Sequence, residues 1–387
     1  QYKKILFLKE VLECPKNQRF KKELKMYFGL SEDQIFFQDN VKKFLSEQAP
    51  LDLIREIAED KESKIKDELH QGIKNLGINN ILIPEENGGL GLDLLFAVAI
   101  SQSIGSCIGP LPFAGSYVIA PIAIEHGANQ EQKDRLFEGI SNNSINFAIG
   151  FSDYFGSRDS SSLKFTDDKV SGRTLFVLDS EYASHVMLCN DEGQIGIVSL
   201  NSKGIDSIEL TTVDKTRAFK EMHFKDTPIE ILENSKKSFN AIEKSIDAGR
   251  IVIAADSVGA SQSMIDKAVE YSKERKQFNR VIGSFQAVKH MCAEMTAELE
   301  PCYALIWHAA HSFDNNETNA RLMACHAKSH VSEISKMVSK KSTEVHGGMG
   351  FTDLLGLHYW FKRIGLNRHI LGSPEIVRKE AAKVQGL

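Results

Sequence analysis

The chain has 387 residues, 42% hydrophobic and 26% charged, enough for two or three domains sharing large cores. Its 47 Lys and Arg against 52 Asp and Glu leave a net charge of −5, which argues against nucleic acid as the main partner. Cys14, Cys107, Cys189, Cys292, Cys302 and Cys325 form no CxxC pair. Neither a disulfide framework nor a metal site is therefore expected, and a reducing compartment fits, the cytoplasm of a bacterium ahead of a mitochondrial matrix.

Residues 1–25 carry eight Lys and Arg, three Glu, no apolar core and no small-residue cleavage site. They read as an extension of unknown role, too acidic for a transit peptide. An N-terminal helical domain is expected over 26–145. Ser31-x-x-Gln34 is a capping box opening an amphipathic helix through Ile35, Phe36, Val41 and Phe44. A second helix is predicted over Asp52–Leu76, stopped by Gly77. A loop with Gly88, Gly89 and Gly91 leads into an apolar helix at Leu94–Ile104; after Pro110 and Pro112 another follows near Ala114–His126.

The pattern changes at about Asn146. Phe147–Phe151, Lys169–Leu178, Ala183–Cys189, Gln194–Leu200, Asp206–Leu210 and Ala218–Phe224 are short β-branched or alternating runs separated by turn residues. Such spacing predicts an antiparallel β domain over 146–237. Helical periodicity returns over 238–387, with helices at Ile246–Tyr271, Phe285–Phe313, Thr318–Glu344 and Leu355–Ile370, then Ser373 as an N-cap before Pro374. The fold class is α+β: an N-terminal helical domain, a central antiparallel β domain and a C-terminal four-helix-bundle domain. No run of about 18 apolar residues exists, so no membrane span is expected.

Tyr271–Met295 holds Lys273, Arg275 and Lys276 at the end of a long helix, then Phe278, a turn at Gly283 and Ser284, and a new helix. Guanidinium matches phosphate oxygens bidentately, so a phosphate site is one reading. An ordinary helix–turn–helix corner with a solvated basic rim is the other. His326 and His330 are i, i+4 on a helix, but without a third ligand a solvated face is the expected reading.

Across Met26–Leu387, three segments in order around this α–β–α pattern carry a resemblance: LGINNILIPEENGGLGLD at 76–93, ERKQFNRVIGSFQAVKHMCAEM at 274–295 and VHGGMGF at 345–351. Together they resemble the acyl-CoA dehydrogenase family of flavoproteins. The resemblance implies FAD between the β domain and the C-terminal helices, completed across a homo- or heteromeric dimer or tetramer. It also implies an acyl-CoA thioester substrate and, as electron acceptor, an electron-transfer flavoprotein. By that resemblance Arg275 and Phe278 approach the FAD pyrophosphate of a neighbouring subunit. Ile282, Phe285, Gln286 and Val288 touch the same cofactor, Gly347 and Gly348 allow close backbone approach, and Ser373 and Glu375 form a helix N-terminus near its phosphates.

Departures from the family pattern are equally visible. Glu344 stands where a glutamine precedes the glycine pair, and Gly150 and Leu178 replace two flavin-facing hydroxyls, although Phe176 keeps the aromatic. The family's two usual positions for the glutamate base are Leu371 and Gly249 here. A branch acting on steroid side-chain and dicarboxylic acyl-CoAs, often heteromeric, carries an acid at the position of Asp247. An Asp in an apolar cleft would have its pKa raised into the range of a base; a carboxylate that only favours the helix dipole is the alternative. Arg250 either orients substrate, steadies Asp247, or is a packed, snorkelling arginine.

Three functions stay open on these residues: a flavin-dependent acyl-CoA dehydrogenase with Asp247 as base, a partner subunit completing another chain's FAD site, and a related flavin oxidase.

Overall fold

The structure, a computed structural model, describes residues 29–59, 64–155, 163–166 and 168–387. The expected 1–25 extension lies outside them. Local signals set the first helix, α1 (Glu32–Gln48): Ser31 and Gln34 close a reciprocal capping box, and Phe37, Val41 and Leu45 are buried at four-residue spacing. The single helix expected to follow is two, α2 (Leu51–Glu59) and α3 (Lys64–Asn75). Gly77, at φ 74°, ends the second as expected.

The apolar helix α4 (Leu94–Cys107) is capped from two sides. Asp93 accepts from Phe96 N, and Asp314 accepts from Leu94 N at 2.9 Å and Leu95 N at 3.3 Å. A seven-residue π-helical turn, Phe113–Ile119, then leads into α5 (Ala120–Gly127). Helix α6 (Gln130–Ser141), opened by an Asn129–Gln132 capping box, has no counterpart in the sequence-based reading. It is mostly polar, so apolar periodicity gave no cue, although N-x-x-Q is the same signal used for α1.

Among the described residues the central sheet has eight strands: β1 (Phe147–Gly150), β2 (Lys164–Phe165), β3 (Lys169–Leu178), β4 (His185–Cys189), β5 (Ile195–Ser199), β6 (Ile205–Leu210), β7 (Phe219–Pro228) and β8 (Glu230–Ile231). Their order is β6-β7-β3-β1-β4-β5-β8, with β2 on β3. The pairs are antiparallel except β1 with β4, which run parallel from Phe147↔His185 to Gly150↔Leu188. The sheet is thus mixed. All four β1 residues are buried, and a strand covered on both faces shows no alternation from which direction could be read.

Helix α7 (Asn240–Glu274) is the axis of the molecule and is buried on several sides between Ala241 and Ser272. It meets α4 backbone to backbone. A Cβ on Gly105 would lie 1.9 Å from the Asp256 carbonyl, and one on Gly259 would lie 1.9 Å from the Gln102 carbonyl. These reciprocal glycines let the helices approach without intervening side chains. Helices α8 (Gln286–Asp314), α9 (Ala320–His346), α10 (Leu357–Asn367) and α11 (Pro374–Val384) complete the C-terminal domain. One apolar core runs through α1, α4, α7, α8 and α9. A second joins the sheet to α5, α6 and the first turns of α7.

Candidate active site and subunit-facing corner

After Glu274 the chain leaves α7 through a two-stranded hairpin, β9 (Lys276–Gln277) and β10 (Arg280–Val281), before α8 begins. Phe278 and Asn279 occupy its tip at φ 50° and 63°, and Phe278 is 87% exposed. Its ring meets Phe285 edge-on at 6.2 Å, and the Arg280 guanidinium lies over the Phe285 ring, 4.0 Å from its centroid. Arg275 is exposed and makes no side-chain hydrogen bond or ion pair among the described residues. Ile282, Phe285 and Val288 are half-buried beside it, Gln286 is exposed, and a shallow groove of about 390 Å³ runs along Val269, Lys273, Val281, Ser284, Val288 and Lys289.

Gly347 and Gly348 follow α9 and are both exposed, and a Cβ on either would meet nothing within 4 Å. The expected open backbone is present, and Gly347 at φ 58° needs glycine for its conformation as well. Glu344 is exposed, and its carbonyl accepts from Gly347 N. Neither residue is covered by its own chain. This corner and the glycine pair therefore fit a cofactor approached from outside.

The chain's own cleft is different. Leu371 and Gly249, at the two positions where the sequence resemblance would place a base, face each other: Leu371 Cδ1 would lie 2.5 Å from a Cβ on Gly249, with Ile119 Cδ1 at 2.8 Å. Leu178, Ile149, Phe151, Ile119 and Leu371 belong to one packed apolar cluster. A Cβ on Gly150 would lie 2.9 Å from Leu188 and 3.2 Å from Thr174 Cγ2, so a side chain there would have to displace Leu188. Phe176 sits at a β-bulge, left-handed at φ 53° and 59% exposed, aimed away from this cluster.

Beyond Leu178 a cavity of about 10 Å³ lies against Phe113, Val252, Asp256 and Arg363. That is about the room of one water, against about 300 Å³ or more for a small-molecule site. As packed, these residues do not fit a flavin ring.

The space beside that cavity holds a buried ion cluster that sequence reasoning missed. Asp256 accepts from Arg363 Nη2 at 2.7 Å, Arg217 Nη2 at 3.1 Å and Asn367 Nδ2 at 2.6 Å. Burial pushes the Asp256 carboxyl up, but Arg363 and Arg217 outweigh it and hold it below the usual range. The cluster ties α7 and α10 to the loop after β6. Asp179 nearby is raised to about 6 by burial, against the hydrogen bond it accepts from Gly115 N at 2.6 Å.

Asp247 is buried two residues before Gly249, on a different side of α7. Burial raises its carboxyl to about 7, opposed by Arg321 and Arg250. Its Oδ1 is buried without a hydrogen-bond partner. Arg321 Nη1 lies 3.5 Å from Oδ2, and Arg250 Nη1 lies 3.8 Å from Oδ1.

Arg250 is fully buried, so it does not snorkel. It donates to the Leu371 carbonyl at 3.0 Å and to Glu380 at 2.6 Å, under the Phe155 ring. Arg321, on the first turn of α9, pairs with Glu380 and donates to Tyr154 Oη at 3.2 Å. Nothing in the local sequence marks Arg321 or Glu380 as neighbours of Asp247; only the packing of α9 and α11 on α7 brings them there.

Ser373 is the N-cap position of α11, with Pro374 following. Glu375 pairs with Arg368 at 3.0 Å, and its carboxyl is pushed down to about 2 by the Ser373 hydroxyl, by its own backbone N–H and by Arg368. That carboxylate already matches the positive end of the helix, which leaves less there for a phosphate.

Residues 31–143 match the acyl-CoA dehydrogenase N-terminal domain, and residues 237–385 match the acyl-CoA dehydrogenase C-terminal domain. The chain belongs to the acyl-CoA dehydrogenase family. It is thus an oxidoreductase of the acyl-CoA dehydrogenase class, in a family of flavoproteins.

Among its relatives is the caffeyl-CoA reductase–Etf complex subunit CarC of Acetobacterium woodii, 26% identical over 84% of this chain and 90% of that protein. Acyl-CoA dehydrogenase IpdE2 of Mycolicibacterium smegmatis is 25% identical over 80% and 86%. In three dimensions the chain is similar to a ChsE4–ChsE5 complex chain of Mycobacterium tuberculosis, with TM-score 0.83 over 93% of this chain and 99% of that one at 18% identity. Among the described residues no helix is long and apolar enough to cross a membrane.

Proposed function

We propose that the chain takes part in α,β-dehydrogenation of an acyl-CoA thioester as one subunit of an FAD-containing assembly. The observation that carries this reading is the outward corner, where Phe278 stands exposed and Arg275 is exposed with no ion-pair partner among the described residues, with the Gly347–Gly348 backbone also open. Arg275 would hold the diphosphate of a neighbour's FAD, with Phe278, Ile282, Phe285, Gln286 and Val288 lining its approach. Bound FAD supplies the acceptor for the hydride leaving Cβ.

Asp247 is the residue suited to take the Cα proton: buried, near neutrality, with one oxygen unsatisfied. Proton and hydride leave adjacent carbons, so a Cα=Cβ double bond forms and the substrate loses two electrons. An electron-transfer flavoprotein is the proposed onward acceptor, supported by the Etf-complex subunit among the relatives. Those bacterial relatives also favour a bacterial cytoplasm.

A second reading rests on the packing of Leu371 and Ile119 over Gly249. With its own ring side filled, the chain would complete the FAD site of a different, complete partner chain. The visible spectrum separates the two. A homo-oligomer that purifies yellow and is bleached by an acyl-CoA supports a self-sufficient enzyme. A colourless chain that carries flavin only when co-expressed with a partner supports the second reading. No flavin in either preparation would refute both.

A further inference from the structure

Glu380 of α11 spans the two cations nearest Asp247. Its Oε2 accepts from Arg250 Nη2 at 2.6 Å, and its Oε1 accepts from Arg321 Nη2. Both guanidiniums make their closest contacts with Glu380 and approach Asp247 at 3.5 and 3.8 Å, within ion-pair range but without a hydrogen bond. Arg321 Nη1 and Asp247 Oδ1 are both buried and both without a hydrogen-bond partner, an arrangement that direct pairing of the two residues would relieve.

We propose that Glu380 is the positioning residue for Asp247, holding Arg250 and Arg321 off its carboxylate so that Asp247 remains available to accept a proton. This rests on the reading of Asp247 as the base. The groups facing Asp247 can be counted by element. Helix α7 contributes Glu243, Lys244 and Arg250; α9 contributes Arg321 and Cys325; α11 contributes Glu380; and Tyr154, in the turn after β1, touches Arg321 rather than Asp247 itself. Burial pushes the Cys325 thiol up to about 12 and also raises the Tyr154 phenol, so both stay neutral. Glu380, in contrast, is held ionised: burial would raise it, but the Arg250 hydrogen bond together with the charges of Arg250 and Arg321 outweighs that.

Glu380 and Glu243 therefore offset the two arginines, and Lys244 is the further cation. Without Glu380 the nearest buried carboxylate to both guanidiniums is Asp247. An opposite charge at contact lowers a carboxyl by about 1–3 pH units. The same network fixes the 371–373 turn, because Arg250 Nε also donates to the Leu371 carbonyl.

The test is the titration of Asp247 in the full chain without added flavin, read as the protonated-carboxyl infrared band that D247N removes. The wild-type midpoint is expected near 7. E380Q should lower it by about one unit or more, a tenfold loss of proton affinity. E380D, which keeps the charge but shortens the reach, should lower it less, and E380Q/R321M should bring it back up. Equal midpoints in wild type, E380D and E380Q would overturn the proposal. In the flavin-loaded assembly the acid limb of the pH–rate profile should move with the band. D247N with undiminished turnover would instead sink the base reading, whatever Glu380 does to the titration.

Discussion

Leu371 Cδ1 stands 2.5 Å from where a Cβ on Gly249 would lie, closer than any real side chain tolerates. Two positions where the sequence resemblance would place a base are here a hydrophobic contact. Gly249→Ala should accordingly be destabilising although it lies inside a helix, where Ala is intrinsically better by about 1 kcal/mol. Overpacking of about 1–3 kcal/mol outweighs that gain. Denaturant unfolding of G249A, L371A and the double variant should show the double less destabilised than the sum, by at least about 0.5 kcal/mol. Additive effects would mean the two residues do not meet.

Asp256 holds two buried arginines at once, Arg363 at 2.7 Å and Arg217 at 3.1 Å. Asp256→Ala should cost about 3–5 kcal/mol, because it leaves buried guanidiniums without their counter-charge. The Asp256 pKa is depressed on folding, so its contribution is present above the unfolded carboxyl pKa and is lost as pH falls through the lower folded value. The difference between wild type and variant in urea melts should therefore persist down to pH 4 and shrink only in stronger acid.

Asp247 has the opposite sign. Its carboxyl is raised from 3.8 to about 7. The unfolded chain releases this proton first as pH rises, and the folded chain keeps it. The contribution of Asp247 is thus full below pH 4 and is lost between about pH 4 and 7. Asp247→Asn should flatten that part of the stability profile. An unchanged slope in D247N would show that Asp247 does not titrate there.

Much of the fold was legible because its signals are local. The Ser31 box, the stop at Gly77 and the strand Lys169–Leu178 all appear as read. Helix α8 covers the expected Phe285–Phe313 stretch to within a residue at each end, with Pro301 inside it. The polar helix α6 was not legible from apolar spacing, nor was the parallel β1–β4 pair, whose residues are buried on both faces.

At the site, Arg275, Phe278 and the glycine pair stand exposed on a hairpin and a helix stop, both of which are local features. The Asp256–Arg363 and Glu380–Arg321 pairs are long-range contacts between helices. No local pattern encodes them.

Arg275→Ala lies on an exposed corner, so it should change unfolding free energy by no more than about 0.5 kcal/mol. Phe278→Ala should behave the same way, since its ring is 87% exposed. Melting curves within error of wild type are the expected result for both, and they qualify these variants as probes of the corner.

The decisive quantity is the flavin content of the assembly that carries FAD, compared between wild type and Arg275→Ala at matched subunit concentration. A charge-assisted contact to phosphate is worth about 1.5–3 kcal/mol, so FAD should bind roughly 10- to 100-fold more weakly in the variant, with the fold intact. Equal flavin affinity in the two proteins would contradict the proposal that this corner holds a neighbour's cofactor.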